Sequence, residues 1–417
     1  MEPHSELEHK RGIVRDAFTY EAFIAYYVLS GLIKSVLYYY EINLPFDLTV
    51  LMMGLIVLTI IKDWLYKKNF LKVRNDTALL IFLFFIFYIW IAFTLIYTPS
   101  PNYAYEKVLK SLTNIVFVLI ILKGDFDTSK FLKISYILIV ILLAWFIPLR
   151  FLYISGHAPK GYWFTRNIMG LYLHLSMPLG MLLLFYFTSH YTFSNNRLVN
   201  SIFYGIGIVA LLLLGARGPI LIFALIYFVY LLIHGKLKLI ISKKKLIYSI
   251  LSMLILLLLI FVFSDEVLSL FNTSLDRIKL IFNGFGSPNK DFGESINGRL
   301  VLISQAFKII FSSFSNFLFG AGIGSFGILT IGKDIRYYPH NFILEIWSEL
   351  GLIGLIIFLL IVFFSIRKVR ISFNDLNIFP VLYILLNFLK SGSLADMRIL
   401  FTILAIYFVA TISPERK

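Results

Sequence analysis

The sequence predicts an all-α membrane protein, built as a bundle of transmembrane helices. Hydrophobic residues make up 59% of the 417 residues, and the mean hydropathy is +0.86. A soluble domain cannot combine such a composition with a hydrated surface. Apolar runs of about 17 to 25 residues, the length that a helix needs to cross a bilayer, also recur along the chain. Together these observations predict a polytopic protein with about twelve spans.

The predicted spans are joined by short connections, with one exception. They cover residues 18–38, 44–61, 77–97, 107–122, 131–153, 167–188, 200–215, 218–234, 246–263, 342–365, 378–391 and 397–412. The exception is the connection at 264–341, whose length is typical of a functional or separately folded segment. The chain therefore divides into a tail at 1–17, nine spans within 18–263, the long connection, three spans within 342–412 and a tail at 413–417.

Alternate connections differ in their content of Lys and Arg, and this difference predicts the orientation. Five such residues lie at 62–74 and five more at 236–245, whereas the hairpin at 215–219 holds one. Because cytoplasmic loops are enriched in Lys and Arg, the cation-rich connections are assigned to the cytoplasm. Both termini then lie inside and the long connection lies outside. The polar tail at 1–17 lacks the pattern of a cleavable signal peptide, so the first span is expected to act as the insertion signal.

Charge and composition narrow the classes of function. The formal net charge is +15, but the cations lie in short loops between apolar runs, where they meet anionic lipid headgroups. Nucleic-acid binding is therefore not expected. The chain has no cysteine, which excludes disulfide and thiolate chemistry. Without a Gly-Lys-Ser loop, a His-Glu-x-x-His motif or clustered His and Cys ligands, we expect no metal, no cofactor and no ATP hydrolysis.

The long connection has internal patterns of its own. Apolar residues recur at helical spacing in Asp265–Phe282 and again in Arg299–Phe311, which predicts two amphipathic helices on the outer membrane surface or the mouth of the bundle. The polar, Gly-rich segment 284–297 between them is predicted to be a mobile linker. The segment 322–327 matches G-x-G-x-x-G by letter, but without a strand before it we interpret it as a turn.

Two arginines stand where a membrane protein ordinarily avoids charge. Arg217 lies in the short hairpin Gly-Ala-Arg-Gly-Pro at 215–219, either as a snorkelling side chain or facing inward toward a ligand. Arg299 is predicted to begin the second amphipathic helix, where a cation opposes the helix dipole unless an anion compensates both. The pair favours a site for a membrane-bound anion at the outer face.

A histidine marks the end of the long connection. His340 precedes Asn341, a good N-cap for a helix that carries Glu345 and Glu349 at four-residue spacing. A polar line is therefore predicted to run from His340 into the span. Glu345 either orients His340 or pairs with a cation.

Further candidate contacts flank these positions. Arg166 and Asn167 open the sixth span after a loop with three consecutive aromatic residues, which form an interfacial belt or stack on sugar rings. Tyr338 is either an interface anchor or a hydroxyl partner to the site. We treat Arg166, Asn167, Tyr338, Asn341 and Glu345 as candidate substrate-binding residues.

The segment 339–345, Pro-His-Asn-Phe-Ile-Leu-Glu, followed by Glu-Leu-Gly-Leu-Ile-Gly at 349–354, resembles the signature of the O-antigen polymerase and O-antigen ligase superfamily. Three other pieces agree in order: Gly-Ala-Arg-Gly at 215–218 is similar to the family's Ser-Arg-Gly turn, Asn-Gly-Arg at 297–299 to its loop arginine, and 320–326 to its glycine turn. Ala216 departs from the commoner Ser. Arg166 and Asn167 fall near an Asn that members often carry, and the resemblance covers about residues 163–358.

The resemblance implies a GT-C-like glycosyltransferase of the bacterial inner membrane that needs no metal. Such an enzyme takes a glycan from an undecaprenyl diphosphate carrier and transfers it to an acceptor sugar hydroxyl on the periplasmic face. Arg217 and Arg299 would stabilise the diphosphate leaving group, and His340 would act on the acceptor hydroxyl. The implied partners are the lipid-linked oligosaccharide, the acceptor glycan and membrane lipids, with a chain-length regulator protein as a candidate.

Alternatives remain within and outside this family. A polymerase joins lipid-linked repeat units to each other, whereas a ligase passes the finished chain to lipid A-core. The extended outer connection and the greater number of polymerases favour the polymerase. A flippase or transporter would also have about twelve spans, but it is expected to carry broken helices near mid-bilayer and a two-half repeat. A structural scaffold is the last alternative.

Overall fold

The computed structural model describes residues 18–67, 75–154, 170–189, 192–193, 196–233, 294–367 and 378–412. Within these ranges the protein is α-helical and contains no β-strand, as predicted. Six of the described helices are long and apolar enough to cross a membrane, and four shorter apolar helices accompany them. The described residues therefore support an integral membrane protein, and the total of about twelve spans stays a prediction.

The described residues form fifteen α-helices, which are numbered in chain order. They are α1 (Tyr20–Tyr39), α2 (Leu48–Lys67), α3 (Asn75–Thr94), α4 (Tyr103–Leu112), α5 (Val116–Lys123), α6 (Thr128–Ile154), α7 (Leu171–Thr188), α8 (Arg197–Leu214), α9 (Arg217–Ile233), α10 (Glu294–Ile310), α11 (Phe314–Phe319), α12 (Ser325–Ile331), α13 (Phe342–Ile366), α14 (Phe379–Ser391) and α15 (Arg398–Ile412). The ninth predicted span, at 246–263, lies outside the described residues, and each of the others except the fourth falls on one helix.

The fourth predicted span, at 107–122, is not one continuous helix. It divides into α4 and α5, which a 3-10 turn at Thr113–Ile115 joins. Polar side chains satisfy backbone and amide groups at the break, because the hydroxyl of Tyr88 donates to the carbonyl of Ser111 at 2.9 Å and accepts from Asn114 at 3.1 Å. Lys107 thereby lies in a separate short helix that precedes the apolar α5.

The helices fall into two compact units. The first comprises residues 1–55, 127–280 and 370–383, of which the described parts include α1 and α6 to α9. Here α1 packs on α6, and α7 packs on α8 and α9. Gly180 on α7 allows Tyr383 to approach, because an added Cβ would lie 2.2 Å from the Tyr383 hydroxyl oxygen.

The second unit comprises residues 56–126, 281–369 and 384–417. Its central helix, α13, packs on α3, α10, α11 and α15, while α15 also packs on α5. Aromatic rings fill the space between these helices: Phe84 and Phe117 stack at 5.0 Å, and Phe401 meets both edge-on. The packing of apolar side chains therefore holds in place the helices that carry the candidate site.

The described part of the long connection is also helical, with two corrections to its predicted boundaries. Residues 294–297, predicted as linker, form the first turn of α10. Arg299 is therefore the sixth residue of that helix rather than its first, so the argument from an uncompensated helix N-terminus does not apply to it. Apolar side chains of α10, including Leu302 and Ala306, pack on Phe326 and Leu344. The helix predicted at Asp265–Phe282 lies outside the described residues.

Candidate active site

Helix α13 breaks at Gly351, where the backbone has φ 70° and ψ −176°. A break inside a span frees carbonyl groups, which are costly to leave unpaired in hydrocarbon. Other backbone and ring N–H groups bond them: Ala321 donates to Ser348 at 2.9 Å, Gly322 to Glu349 at 3.0 Å, and the Trp90 ring to Leu350 at 2.8 Å. The long connection therefore returns beside the broken helix and completes its hydrogen bonding.

Glycines make this approach possible. Gly320, Gly322 and Gly324 all have positive φ, which side chains on other residues disfavour. A Cβ on Gly320 would lie 2.4 Å from the Glu349 carbonyl oxygen. The segment 322–327, predicted as a turn, does form a turn up to Gly324, after which α12 begins.

His340 stands directly before the N-cap of α13. Its backbone has φ 53°, and the Asn341 side chain accepts a hydrogen bond from the Leu344 N–H at 3.1 Å, so the predicted N-cap is confirmed. The Tyr338 ring lies 4.5 Å from the imidazole ring, between centroids, at an angle of 49°. His340 is half-buried in a defined orientation at the helix entrance.

The electrostatic surroundings favour the neutral form of this imidazole. Burial lowers the pKa of His340 below its usual value, and the positive charges of Arg299 and Arg336 lower the pKa further. Arg336 forms an ion pair with Asp396, and its guanidinium lies over the Tyr338 ring at 5.7 Å. A neutral imidazole beside two cations can accept a proton while anionic groups bind nearby.

Below His340, the polar line on α13 ends in a buried cluster. The Lys107 ammonium lies 2.5 Å from Glu345 and 2.6 Å from Glu349, and all three side chains are fully buried. Glu345 also accepts hydrogen bonds from the Ser393 hydroxyl at 3.1 Å and the Leu394 N–H at 2.8 Å. Of the two alternatives for Glu345, orienting His340 or pairing with a cation, the structure shows the second, because Glu345 pairs with Lys107.

The other predicted site residues differ in where the structure places them. Tyr338 contacts the His340 ring, and the charge of Arg299 acts on the His340 imidazole. Arg217 is the first residue of α9 in the first unit, after Gly215 with φ 62°, and its side chain is not described. Arg166 and Asn167 lie outside the described residues.

Sequence reasoning missed three participants: Lys107, Arg336 and Asp396. Lys107 lies at the start of the fourth predicted span, and an ionisable residue in that place is itself a signal of function. Arg336 lies four residues before His340, in a loop where no periodicity reveals side-chain direction. Asp396 sits in a 3-10 turn between α14 and α15.

The fold and site define an integral membrane protein, with apolar helices around a polar cluster and an arginine-flanked histidine. Residues 202–359 match the family model described as O-antigen ligase. The resemblance to the O-antigen polymerase and ligase superfamily is thereby confirmed, and members of this family are glycosyltransferase-like enzymes. The matched segment contains Arg217, Arg299 and His340. No curated protein matches the chain.

Proposed function

We propose that this protein is a surface polysaccharide polymerase that joins lipid-linked repeat units. The donor would be a glycan on undecaprenyl diphosphate, and the acceptor a sugar hydroxyl of a second lipid-linked unit. The observation that carries the proposal is the half-buried His340 beside Arg299 and Arg336, with its pKa lowered by burial and by those two cations. A transferase with an anionic leaving group needs both a base and fixed positive charge.

The proposed reaction is a direct displacement at the anomeric carbon of the donor sugar. The acceptor oxygen forms a bond to that carbon while the bond from the carbon to the diphosphate oxygen breaks. The acceptor proton passes to the free nitrogen of His340, and the lipid diphosphate leaves with the bonding electron pair. A base placed in this way contributes about 10² to 10⁴ in rate.

The arginines would act on the leaving group. Arg299 and Arg217 are proposed to bind diphosphate oxygens, because guanidinium groups remain charged and bind phosphate in a bidentate manner. These fixed charges replace a metal ion in the proposal. Arg166, Asn167, Tyr338 and Asn341 are retained as proposed sugar contacts, whereas the buried Glu345 is proposed to hold the helix in place.

The orientation follows from the charge asymmetry of the loops. We place the protein in the bacterial inner membrane with both termini in the cytoplasm and the site on the periplasmic face, in a GT-C-like arrangement. A chain-length regulator remains a proposed partner. A transporter is less well supported, since the carbonyls freed at the break in α13 are bonded by Ala321, Gly322 and Trp90 instead of being available to an ion.

The second candidate function is the ligase, the activity that the description of the matching family names. One assay separates the two. Purified protein is incubated with lipid-diphosphate repeat units, with and without lipid A-core. If ladders of longer lipid-linked glycan form without lipid A-core, the result supports the polymerase. If the glycan is transferred to lipid A-core and no ladder forms when lipid A-core is left out, the protein is a ligase instead.

A further inference from the structure

The cluster of Lys107, Glu345 and Glu349 has no role in the proposed chemistry, yet its two carboxylates lie five and nine residues after His340. All three side chains are fully buried, so none of them is accessible to a substrate. Buried ion pairs rarely increase stability over apolar residues of similar volume. The three ionisable groups of this cluster are therefore expected to serve a purpose other than stability.

The cluster connects four separate segments of the chain. Lys107 comes from α4, and the two carboxylates are the fourth and eighth residues of α13. Glu349 also accepts a hydrogen bond from the Gly324 N–H at 2.9 Å, which adds the glycine turn. Glu345 adds the turn at 393–394 that precedes α15. Each segment is held by a charged group, and charge-assisted hydrogen bonds are the stronger and more directional class.

The two carboxylates are not equivalent. Both oxygens of Glu345 accept hydrogen bonds, with donors from Lys107, Ser393 and Leu394. In contrast, one oxygen of Glu349 is buried without a hydrogen-bond partner among the described residues. Glu345 is therefore the more fully hydrogen-bonded of the two carboxylates. Its position on α13 is five residues after His340, in the turn that Asn341 caps.

We propose that Lys107 is a positioning residue, which through Glu345 and Glu349 fixes the His340-bearing end of α13 against the glycine turn and the turn at 393–394. The inference rests on the proposed function, because it treats His340 as the base that must meet an acceptor hydroxyl. A displacement of about 1 Å in such a group can lower the rate 10²-fold without weakening binding. The expected signature is thus a loss in kcat with KM retained.

The first test removes all three charges together, because a single substitution would leave an uncompensated charge in the interior. The variant Lys107→Met/Glu345→Gln/Glu349→Gln is expected to fold, with a melting temperature in detergent no lower than that of the unchanged protein. Its kcat should fall about 100-fold at constant KM. A folded triple variant with unchanged kcat would overturn the proposal.

The second test keeps every charge and applies if the triple variant does not fold. Glu345→Asp shortens the side chain by one methylene and pulls the carboxylate away from Lys107, Ser393 and Leu394. The matched control is Glu106→Asp, which makes the same change in the exposed ion pair with Lys110 on α4. Glu345→Asp should lower kcat about 3- to 10-fold, the effect of one lost hydrogen bond, while Glu106→Asp should not. Equal kcat in both variants would overturn the proposal.

A third measurement separates this inference from the proposed function. The His340 signal in the NMR spectrum of histidine-labelled protein is assigned by its loss in His340→Asn, and its pKa is followed in the full chain. Displacing His340 from Arg299 and Arg336 should raise that pKa in both cluster variants. If the unchanged protein is inactive with either acceptor, the proposed function fails, and the titration still decides whether Lys107 positions His340. An unshifted pKa would contradict the positioning role.

Discussion

Gly320 and Gly351 fit against each other backbone to backbone. A Cβ on Gly320 would lie 2.5 Å from the Gly351 nitrogen, and a Cβ on Gly351 would lie 2.5 Å from the Gly320 nitrogen. Both glycines also have positive φ. The close approach of the returning loop to the broken span therefore depends on the absence of side chains on both sides.

Gly351→Ala should destabilise the protein. The added Cβ would meet the Leu318 carbonyl oxygen at 2.2 Å, and the strained φ alone costs roughly 1 to 3 kcal/mol. The melting temperature in detergent measures the loss. The control is Gly54→Ala on α2, where no atom lies within 4 Å of the added Cβ and helix propensity predicts a gain of roughly 0.5 to 1 kcal/mol. Equal melting temperatures for the two variants would contradict the backbone fit.

The positions of the helices could be predicted from the sequence because the thickness of a bilayer sets the length of an apolar run. The break between α4 and α5 could not, since it depends on polar contacts among Tyr88, Ser111 and Asn114. The apolar periodicity begins at Arg299 and therefore predicts the start of α10 there. The helix extends one polar turn further, to Glu294, and periodicity does not report polar turns.

Helical spacing could predict only the part of the candidate site whose residues are neighbours in the sequence. His340, Asn341 and Glu345 share one helix entrance, so spacing alone placed them together. Lys107 is 238 residues from Glu345 and 242 from Glu349, and no local pattern predicts that contact. The same holds for Arg336 and Asp396, which are 60 residues apart.

His340→Asn tests the proposed base without disturbing the backbone. Asparagine tolerates positive φ better than most residues, so it can replace His340 at φ 53°. We expect kcat for glycan transfer to fall by about 10² to 10⁴ with little change in melting temperature. Glu41→Asn is the control, because Glu41 also has positive φ, at 58°, and lies outside the proposed site. Activity that survives His340→Asn would exclude His340 as the base.

Arg336→Gln should change the pH dependence of the reaction. A neighbouring cation disfavours the imidazolium, so removing the charge of Arg336 raises the pKa of His340. Since the neutral imidazole is the active form in the proposal, the acid limb of kcat/KM should move to higher pH. The variant would then lose activity at mildly acidic pH while keeping it at alkaline pH.

The control for this pH profile is Arg367→Gln. Arg367 also forms an ion pair with an aspartate, Asp76, but it lies at the opposite end of α13 from His340. Charges further apart than the Debye length, about 8 Å at physiological salt, are largely screened. The acid limb should therefore stay in place in Arg367→Gln. A shift of equal size in both variants would show that the effect does not arise next to His340.

Asp334 should stabilise the loop before His340 in a pH-dependent manner. Its carboxylate accepts hydrogen bonds from the Ser100 hydroxyl at 2.5 Å and from the Asn102 N–H at 2.8 Å, at the start of α4. Burial alone would raise the pKa of Asp334, but these hydrogen bonds outweigh it and hold the pKa below the usual value. A depressed pKa means that the stabilisation is present above the pKa of the unfolded chain and is lost as the pH falls through the folded pKa.

Asp334→Asn keeps one oxygen acceptor but replaces the other with an NH2 group that cannot accept a hydrogen bond. It should therefore lower stability at neutral pH by roughly 0.5 to 1.5 kcal/mol, the usual net contribution of one hydrogen bond. The difference in melting temperature from the unchanged protein should shrink as the pH falls below about 4, where the native carboxylate also becomes protonated. Asp63→Asn is the matched control, because its carboxylate lies 3.7 Å from Lys123 in a looser ion pair. If the two variants lose the same melting temperature with the same pH dependence, the hydrogen bonds of Asp334 to α4 do not cause the loss in Asp334→Asn.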